Sequence, residues 1–189
     1  MRVIAGEFRS RTILSMPGTE IRPTPDRLRE ALFNILTPMI EGAVFVDAYA
    51  GPGSVGIEAL SRGARHVVFI EKNRQAVELI HQNLASLGVA GRTRVIMGAG
   101  PTHLSGIAAD IVFMDPPYPK EREYQASLRA LETKPPRLVV VQHSVRFALE
   151  EAFGPLLRTR ILKQGDNALS FFPDSRIVDE HTSPEAPNL

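Results

Sequence analysis

The sequence predicts an α/β fold, a mostly parallel sheet with helices on both faces. Three observations support this. From Ala43 onward, short apolar runs rich in Val, Ile and Phe alternate with amphipathic helical stretches, the pattern of repeated strand–helix–strand units. A glycine-rich turn, "AGPG", follows the first of these strands directly, where such folds place their ligand loops. The chain closes on "RTRILKQGDNALSFF", two strands around a tight turn that add antiparallel pairing at one edge.

The elements follow in order. Residues 2–16 predict a short β-hairpin around "GEFRSR", an N-terminal extension over residues 1–20 that leans on the main domain. "RPTPDRLREALFNIL" predicts a helix with Thr24 as N-cap and Pro25 at the first helical position. Leu28, Ala31, Leu32, Ile35 and Leu36 share one face, and Pro38 is expected to end the helix. "AVFVD" is the first buried strand, "SVGIEALSRG" a helix closed by Gly63, and "HVVFIE" the second strand. "NRQAVELIHQNLASLG" is a helix capped by Asn73 and ended by Gly88. "TRVIM" and "DIVFMD" are the third and fourth strands, "EREYQASLRALE" a helix, "RLVVVQ" the fifth strand, and "RFALEEAF" a further helix. The main domain is expected over residues 21–173, with a polar, proline-containing and disordered tail over 174–189.

Composition narrows the function. The 189 residues contain no cysteine, which excludes disulfides, thiolate zinc sites and a cysteine nucleophile. The five histidines are scattered and none forms a metal-spaced pair, so no metal is expected. No apolar run reaches bilayer length and the N-terminus lacks a signal-peptide core; the expected location is cytoplasmic. Net charge is only +1, yet residues 1–29 hold six arginines against three acids, while the segment from Asp174 holds four acids against Arg176. A basic end on a near-neutral protein fits a polyanionic partner.

Two stretches carry the chemistry. "DAYAGPGSVGIEA" places Asp47 at the end of the first strand and Gly51, Gly53 and Gly56 in a G-x-G-x-x-G spacing. The following helix aims its unpaired N–H groups at any ligand there. Glu71 ends the second strand, 20 residues after Gly51, the spacing of a carboxylate that accepts from ribose hydroxyls. An acid just before the glycines suits a ligand with a ribose and no phosphate, such as S-adenosylmethionine. The second stretch, "DPPY", begins at Asp115 on the end of the fourth strand. Pro116 and Pro117 have no N–H and hold the chain extended. Two backbone carbonyls are thereby expected to stand open beside the Asp115 carboxylate, acceptors for both hydrogens of an amine. Tyr118 is placed to stack on a planar base.

Together these residues resemble class I S-adenosylmethionine-dependent amino-methyltransferases. "MRVIAGEFRSR", "RPTPDRLREALFNIL", "GIEALSRGA" and "KQGDNALSFF" further resemble the RsmD-type methyltransferases of small-subunit ribosomal RNA, over nearly the whole chain except the tail. The resemblance implies a Rossmann-like methyltransferase sheet and methyl transfer to N2 of one guanine in 16S rRNA. It implies a cofactor site of Asp47, Ala50, Gly51, Gly53, Gly56 and Glu71, with Ala99 beside the adenine. It implies a catalytic loop of Asp115, Pro116, Pro117 and Tyr118. Arg22, Pro23 and Thr24 would line the cleft, and Arg9, Arg11 and Arg27 are candidate phosphate contacts. The expected partner is 16S rRNA within a partly or fully assembled 30S subunit, bound by a monomer. "IMGAGPTHL" departs from the family in lacking an acid after the third strand, and Gln142 stands where a glutamate is usual. Alternatives are an adenine-N6 methyltransferase of RNA or DNA, and a non-catalytic RNA-binding ribosome-assembly module. A dinucleotide dehydrogenase would leave DPPY unexplained.

Overall fold

The computed structural model describes residues 1–16, 25–117 and 121–178. Its centre is a seven-stranded sheet of β1 (Val44–Ala48), β2 (His66–Glu71), β3 (Thr93–Met97), β4 (Ile111–Met114), β5 (Leu138–Ser144), β8 (Arg160–Gln164) and β9 (Asn167–Pro173). The strand order is β3-β2-β1-β4-β5-β9-β8. The first five strands are parallel, and β9 runs antiparallel between β5 and β8. The order reverses at β1, so the crevice beyond the ends of β1 and β4 is the topological switch point.

Alternation along the strands builds two cores. Phe45, Val67, Phe69, Ile111, Phe113 and Val140 point to the face covered by α1 (Asp26–Ile40), α2 (Ser54–Ser61) and α3 (Arg74–Leu87). Val46, Val68, Ile70, Val112, Met114 and Val141 point to the face covered by α4 (Gly100–Leu104) and α5 (Glu121–Leu131). Each large side chain so buried contributes roughly 1.5–3 kcal/mol. Because both faces are covered, the parallel strands read as continuous apolar runs.

Several local expectations hold. Asn73 caps α3, its side chain accepting from the Gln75 and Ala76 amides, and Gly88 ends it in the left-handed region. Gly63 follows α2 with φ +103°. Gly165 and Asp166 turn the β8–β9 hairpin. Among the described residues no helix is long and apolar enough to cross a membrane.

Four expectations are corrected. Helix α1 starts at Asp26, with Pro25 in the non-helical cap position; Thr24 lies outside the described residues. Pro38 does not end α1, which continues to Ile40. The carbonyl that Pro38 leaves unpaired belongs to exposed Asn34, where water can satisfy it, while buried Leu36 and Ile40 anchor the last turn. The segment 146–153 is not a helix. The chain turns there, the Phe147 N–H donating to the Ser144 carbonyl and the Leu149 N–H to the Phe147 carbonyl, so that Phe147 and Leu149 are more buried than exposed Arg146, Ala148 and Glu150. The segment ends in β6 (Ala152–Phe153), which pairs with β7 (Leu156–Leu157). The tail is ordered at its start: buried Asp174 bridges to Leu156, and α6 spans Ser175–Val178.

The N-terminal arm doubles back on itself around one bridge, Arg2 to Thr12, flanked by backbone bonds from the Val3 N–H to the Arg11 carbonyl and from the Ile13 N–H to the Met1 carbonyl. Side chains fasten it to the domain. The buried Glu58 carboxylate on α2 accepts from the Ile4 and Ala5 amides at 2.8 and 3.0 Å. Buried Arg29 on α1 donates to the Arg2 carbonyl at 2.7 Å and lies 3.8 Å from Glu58. Asn83 on α3 exchanges hydrogen bonds with the Leu14 backbone and donates to the Pro52 carbonyl, so the arm and the glycine loop share one clamp.

Candidate active site

The glycine loop is shaped by two carboxylates. Asp47 is one residue from the end of β1, and its Oδ2 accepts from the Gly56 N–H at 2.7 Å. Gly56 lies in the first turn of α2, so the acid sits on the positive end of that helix. Burial pushes the Asp47 carboxyl up to about 7; the Gly56 hydrogen bond pulls it down, and the Glu71 charge pushes it further up. Glu71 ends β2. Its Oε2 accepts from the Gly51 N–H at 2.8 Å and its Oε1 from the Asn73 N–H at 2.7 Å. The 20-residue spacing thus closes in space. Each carboxylate oxygen keeps a second lone pair for a ligand hydroxyl.

Backbone demands explain the glycines. Gly53 has φ +87°, open to glycine at little strain. A Cβ on Gly56 would lie 2.3 Å from the Phe69 ring, so α2 approaches β2 only because no side chain intervenes. Above Gly51 there is open space: a Cβ there meets nothing within 4 Å. Ala50 lies beneath, its N–H donating to the Ile70 carbonyl.

Asp115 follows β4. Strand β4 pairs with β1 so that Met114 is opposite Ala48. Phe45 and Phe69, Ile111 and Phe113 all face the α1–α3 side, and the two-residue period puts Asp47, Glu71 and Asp115 on that same side. The two aspartates sense each other: burial first, then the Asp47 charge, pushes the Asp115 carboxyl up to about 7. Among the described residues nothing donates a hydrogen bond to its carboxylate.

The open carbonyls need a correction. The Pro116 carbonyl accepts from the buried Tyr124 hydroxyl of α5 at 3.1 Å. One of the two expected free acceptors is therefore already half engaged. Pro116 is buried and Pro117 exposed; Tyr118 lies outside the described residues. Reasoning from sequence missed Tyr124, which reads there as one more core position of an amphipathic helix.

Beyond β3, exposed Ala99 holds the cap position of α4 with extended backbone. A Cβ at position 98 would lie 2.2 Å from His103 Nε2, so a side chain there requires the partly exposed imidazole to turn away. Met97, 63% exposed and in register with Glu71, offers an apolar surface at the same strand end.

The arginines do not gather in one place. Helix α1 ends just before β1 starts, so its first turn, with exposed Arg27, lies at the end of the sheet that bears the glycine loop. Arg9 and Arg11 are exposed at the opposite end. The Gly6–Phe8 turn packs on Ser61, the last residue of α2, and Arg11 donates to the Ser86 carbonyl near the end of α3. At 1.5 Å per residue, α2 alone separates that turn from the glycine loop by roughly 12 Å. Arg22 and Thr24 lie outside the described residues.

A carboxylate on the glycine loop, a second one bonded to that loop and a third beside two prolines are thus gathered at one end of the sheet. Residues 1–173 match the family model described as conserved hypothetical protein 95. The chain is 32% identical over 169 residues to a putative rRNA methyltransferase, YlbH, of Bacillus subtilis, covering 85% of this chain and 91% of that one. It is 41% identical over 120 residues to ribosomal RNA small subunit methyltransferase D of Escherichia coli, covering 62% of this chain and 60% of the relative. Among solved structures, a putative methyltransferase, yhhF, from Escherichia coli superposes with a TM-score of 0.82 at 31% identity, covering 92% of this chain and 97% of that one. The chain belongs to the conserved hypothetical protein 95 family, the RsmD-type methyltransferases.

Proposed function

We propose that this chain transfers a methyl group from S-adenosylmethionine to the exocyclic N2 of a guanine in small-subunit ribosomal RNA. The observation that carries this reading is the placement of Asp115 and its proline pair beside Asp47 and the glycine loop, on adjacent strand ends and on one face of the sheet.

The residues present fit the cofactor. Asp47, Glu71 and the open space over Gly51 suit a ribose and a positive charge better than they suit a phosphate, which three nearby carboxylates would repel. Glu71 would hold the ribose hydroxyls, and Ala99, with Met97 beside it, would border the adenine. When bound, the cofactor supplies an electrophilic methyl on a sulfonium.

The protein's own work lies with the acceptor. An exocyclic guanine amine is a poor nucleophile, because its lone pair is delocalised into the ring. The Asp115 carboxylate and the Pro116 carbonyl can each accept one N–H, which orients the nitrogen lone pair and returns charge to it. Holding an amine in line in this way is worth roughly 7–11 kcal/mol in well-ordered systems. Ionised Asp115 is the stronger acceptor. Arg27, at the same end of the molecule, would meet RNA phosphate. The intact bonds of Asp47 and Glu71 to the loop support a working cofactor site over a decayed binding module.

The test is incubation of the protein with labelled S-adenosylmethionine and unmodified 30S particles, followed by mapping of the modified nucleotide. Label at N2 of one guanine is expected. Label on an adenine, or none on the RNA, overturns the reading.

A further inference from the structure

We infer that Tyr124 is a positioning residue for methyl transfer: its buried hydroxyl fixes the Pro116 carbonyl that receives the substrate amine. This rests on the function proposed above. A β-turn would fix the Pro116 carbonyl through the N–H three residues on, but that residue is Pro119, which has none. Among the described residues its one hydrogen bond comes from Tyr124 Oη, at 3.1 Å. The tyrosine is 1% exposed, and its ring packs against Phe147 with centroids 4.8 Å apart. Phe147 in turn meets the edge of His143, whose Nε2 pairs with Ser170 on β9. The hydroxyl is thus seated by packing that reaches across β5 to β9.

A carbonyl oxygen has two lone pairs. Tyr124 takes one and leaves the other, now aimed, for an incoming N–H. The same helix also touches the cofactor side. One turn along α5 from Tyr124, Ser127 Oγ lies 2.8 Å from the hydroxyl of Tyr49, which stands at the exit of β1 with φ +70°. Residues three apart share a helix face, so one stripe of α5 sets the acceptor loop and the strand that leads into the glycine loop against a common plate. Displacing a reacting group by about 1 Å costs on the order of a hundredfold in rate, which makes such a plate consequential.

Tyr124→Phe tests this, because it removes the oxygen and keeps the ring, its packing and the fold. The expected result is a fall in kcat on 30S particles of about tenfold or more, with the KM and calorimetric affinity for the cofactor within about twofold of the parent. A kcat within about twofold of the parent overturns the inference, and so does a parallel loss of cofactor affinity, which marks general loosening. The carbonyl carbon resonance of Pro116, read by NMR without RNA, provides a second measurement. It should move in Tyr124→Phe; an unmoved resonance overturns the inference. Failure of the parent protein to methylate 30S particles would overturn the proposed function instead, and the Pro116 resonance would still decide the role of Tyr124.

Discussion

The ends of β1 and β2 and the end of β4 carry the same kind of group in different states. Asp47 and Glu71 are satisfied by the chain itself, through the amides of Gly56, Gly51 and Asn73. Asp115 lies on the same side of the sheet and receives no hydrogen bond from the described residues. Asp115 is partly exposed, so its carboxylate oxygens stay open to a donor from outside the described residues. The first pair shapes the glycine loop. In the function proposed above, the third accepts from the substrate amine. Cofactor binding and methyl acceptance should therefore respond to different substitutions.

The largest expected effect is that of Asp115→Ala. Removing the acceptor should lower kcat by about 10²–10⁴-fold, the usual range for a positioned acid or base, while calorimetric affinity for S-adenosylhomocysteine stays near the parent value. Glu71→Ala should do the converse. It removes a charged acceptor worth about 1.5–3 kcal/mol, so the cofactor Kd should rise roughly 10–100-fold with kcat at saturation little changed. If both variants lost affinity and turnover together, the two regions would be one functional unit and the contrast would fail.

The pH dependence sharpens the contrast in a milder way. Burial pushes Asp47 and Asp115 both up to about 7, from an ordinary carboxyl value of 3.8. Between about pH 4 and 7 the folded chain binds more protons than the unfolded one, so stability falls as pH rises through that window and levels off above it. The two groups interact, and the apparent values belong to the pair. Thermal melts of the ligand-free protein between pH 5 and 8 should show the pair's contribution as a difference: Tm of the parent falls relative to Asp115→Asn as pH rises, while buried His143, its pKa lowered by burial, acts the opposite way in both. Methyl transfer should run the other way, kcat/KM rising toward a plateau above about pH 7, because the ionised Asp115 is the stronger acceptor. A flat rate profile across that range would remove the carboxylate from the chemistry.

These contrasts also mark what the sequence makes legible. Asp47, Glu71 and Asp115 can be found because each ends a strand, and strand ends are visible as the last residue of an apolar run. The Glu71–Gly51 spacing carries its own geometry, since one strand–turn–helix unit has a fixed length. Contacts between distant elements leave no such mark. Glu58 reads as the partner of Arg62 four residues on, and they do pair at 2.8 Å, but the carboxylate is fully buried and also holds the amides of the N-terminal arm. Tyr124 and Pro116 are only eight residues apart, yet a helix and a loop meet there in a way no periodicity encodes. The helix expected over 146–153 failed for a related reason. Its charged residues have strong helix propensity, but Phe147 and Leu149 are set by what they pack on, and tertiary packing won.

The smallest expected effect comes from Tyr49→Phe, and it probes the tie between the two regions. Tyr49 occupies the left-handed region at φ +70°, uncommon for a residue with a side chain. Its ring lies against Gly100, where a Cβ would come within 2.8 Å of Cζ, and its hydroxyl bonds Ser127 and Glu123. Burial pushes that hydroxyl up to about 12, with the Ser127 bond pulling it down and Glu123 pushing it further up, so it is a neutral hydrogen-bonding group at every working pH. Loss of the hydroxyl leaves the ring and the backbone bond to the Ile70 carbonyl in place. The hydroxyl's bonds to Ser127 and Glu123 are lost together, so the stability loss should be about 1–2 kcal/mol, a fall in Tm of roughly 2–8 °C for a chain of this size. If α5 registers the two strand ends as inferred, kcat should fall by more than cofactor affinity does, although less than in Tyr124→Phe, because the β1 exit keeps its other contacts. A kcat loss in Tyr49→Phe equal to that in Tyr124→Phe would place the decisive tie at β1 and relieve the Pro116 carbonyl of its assigned role.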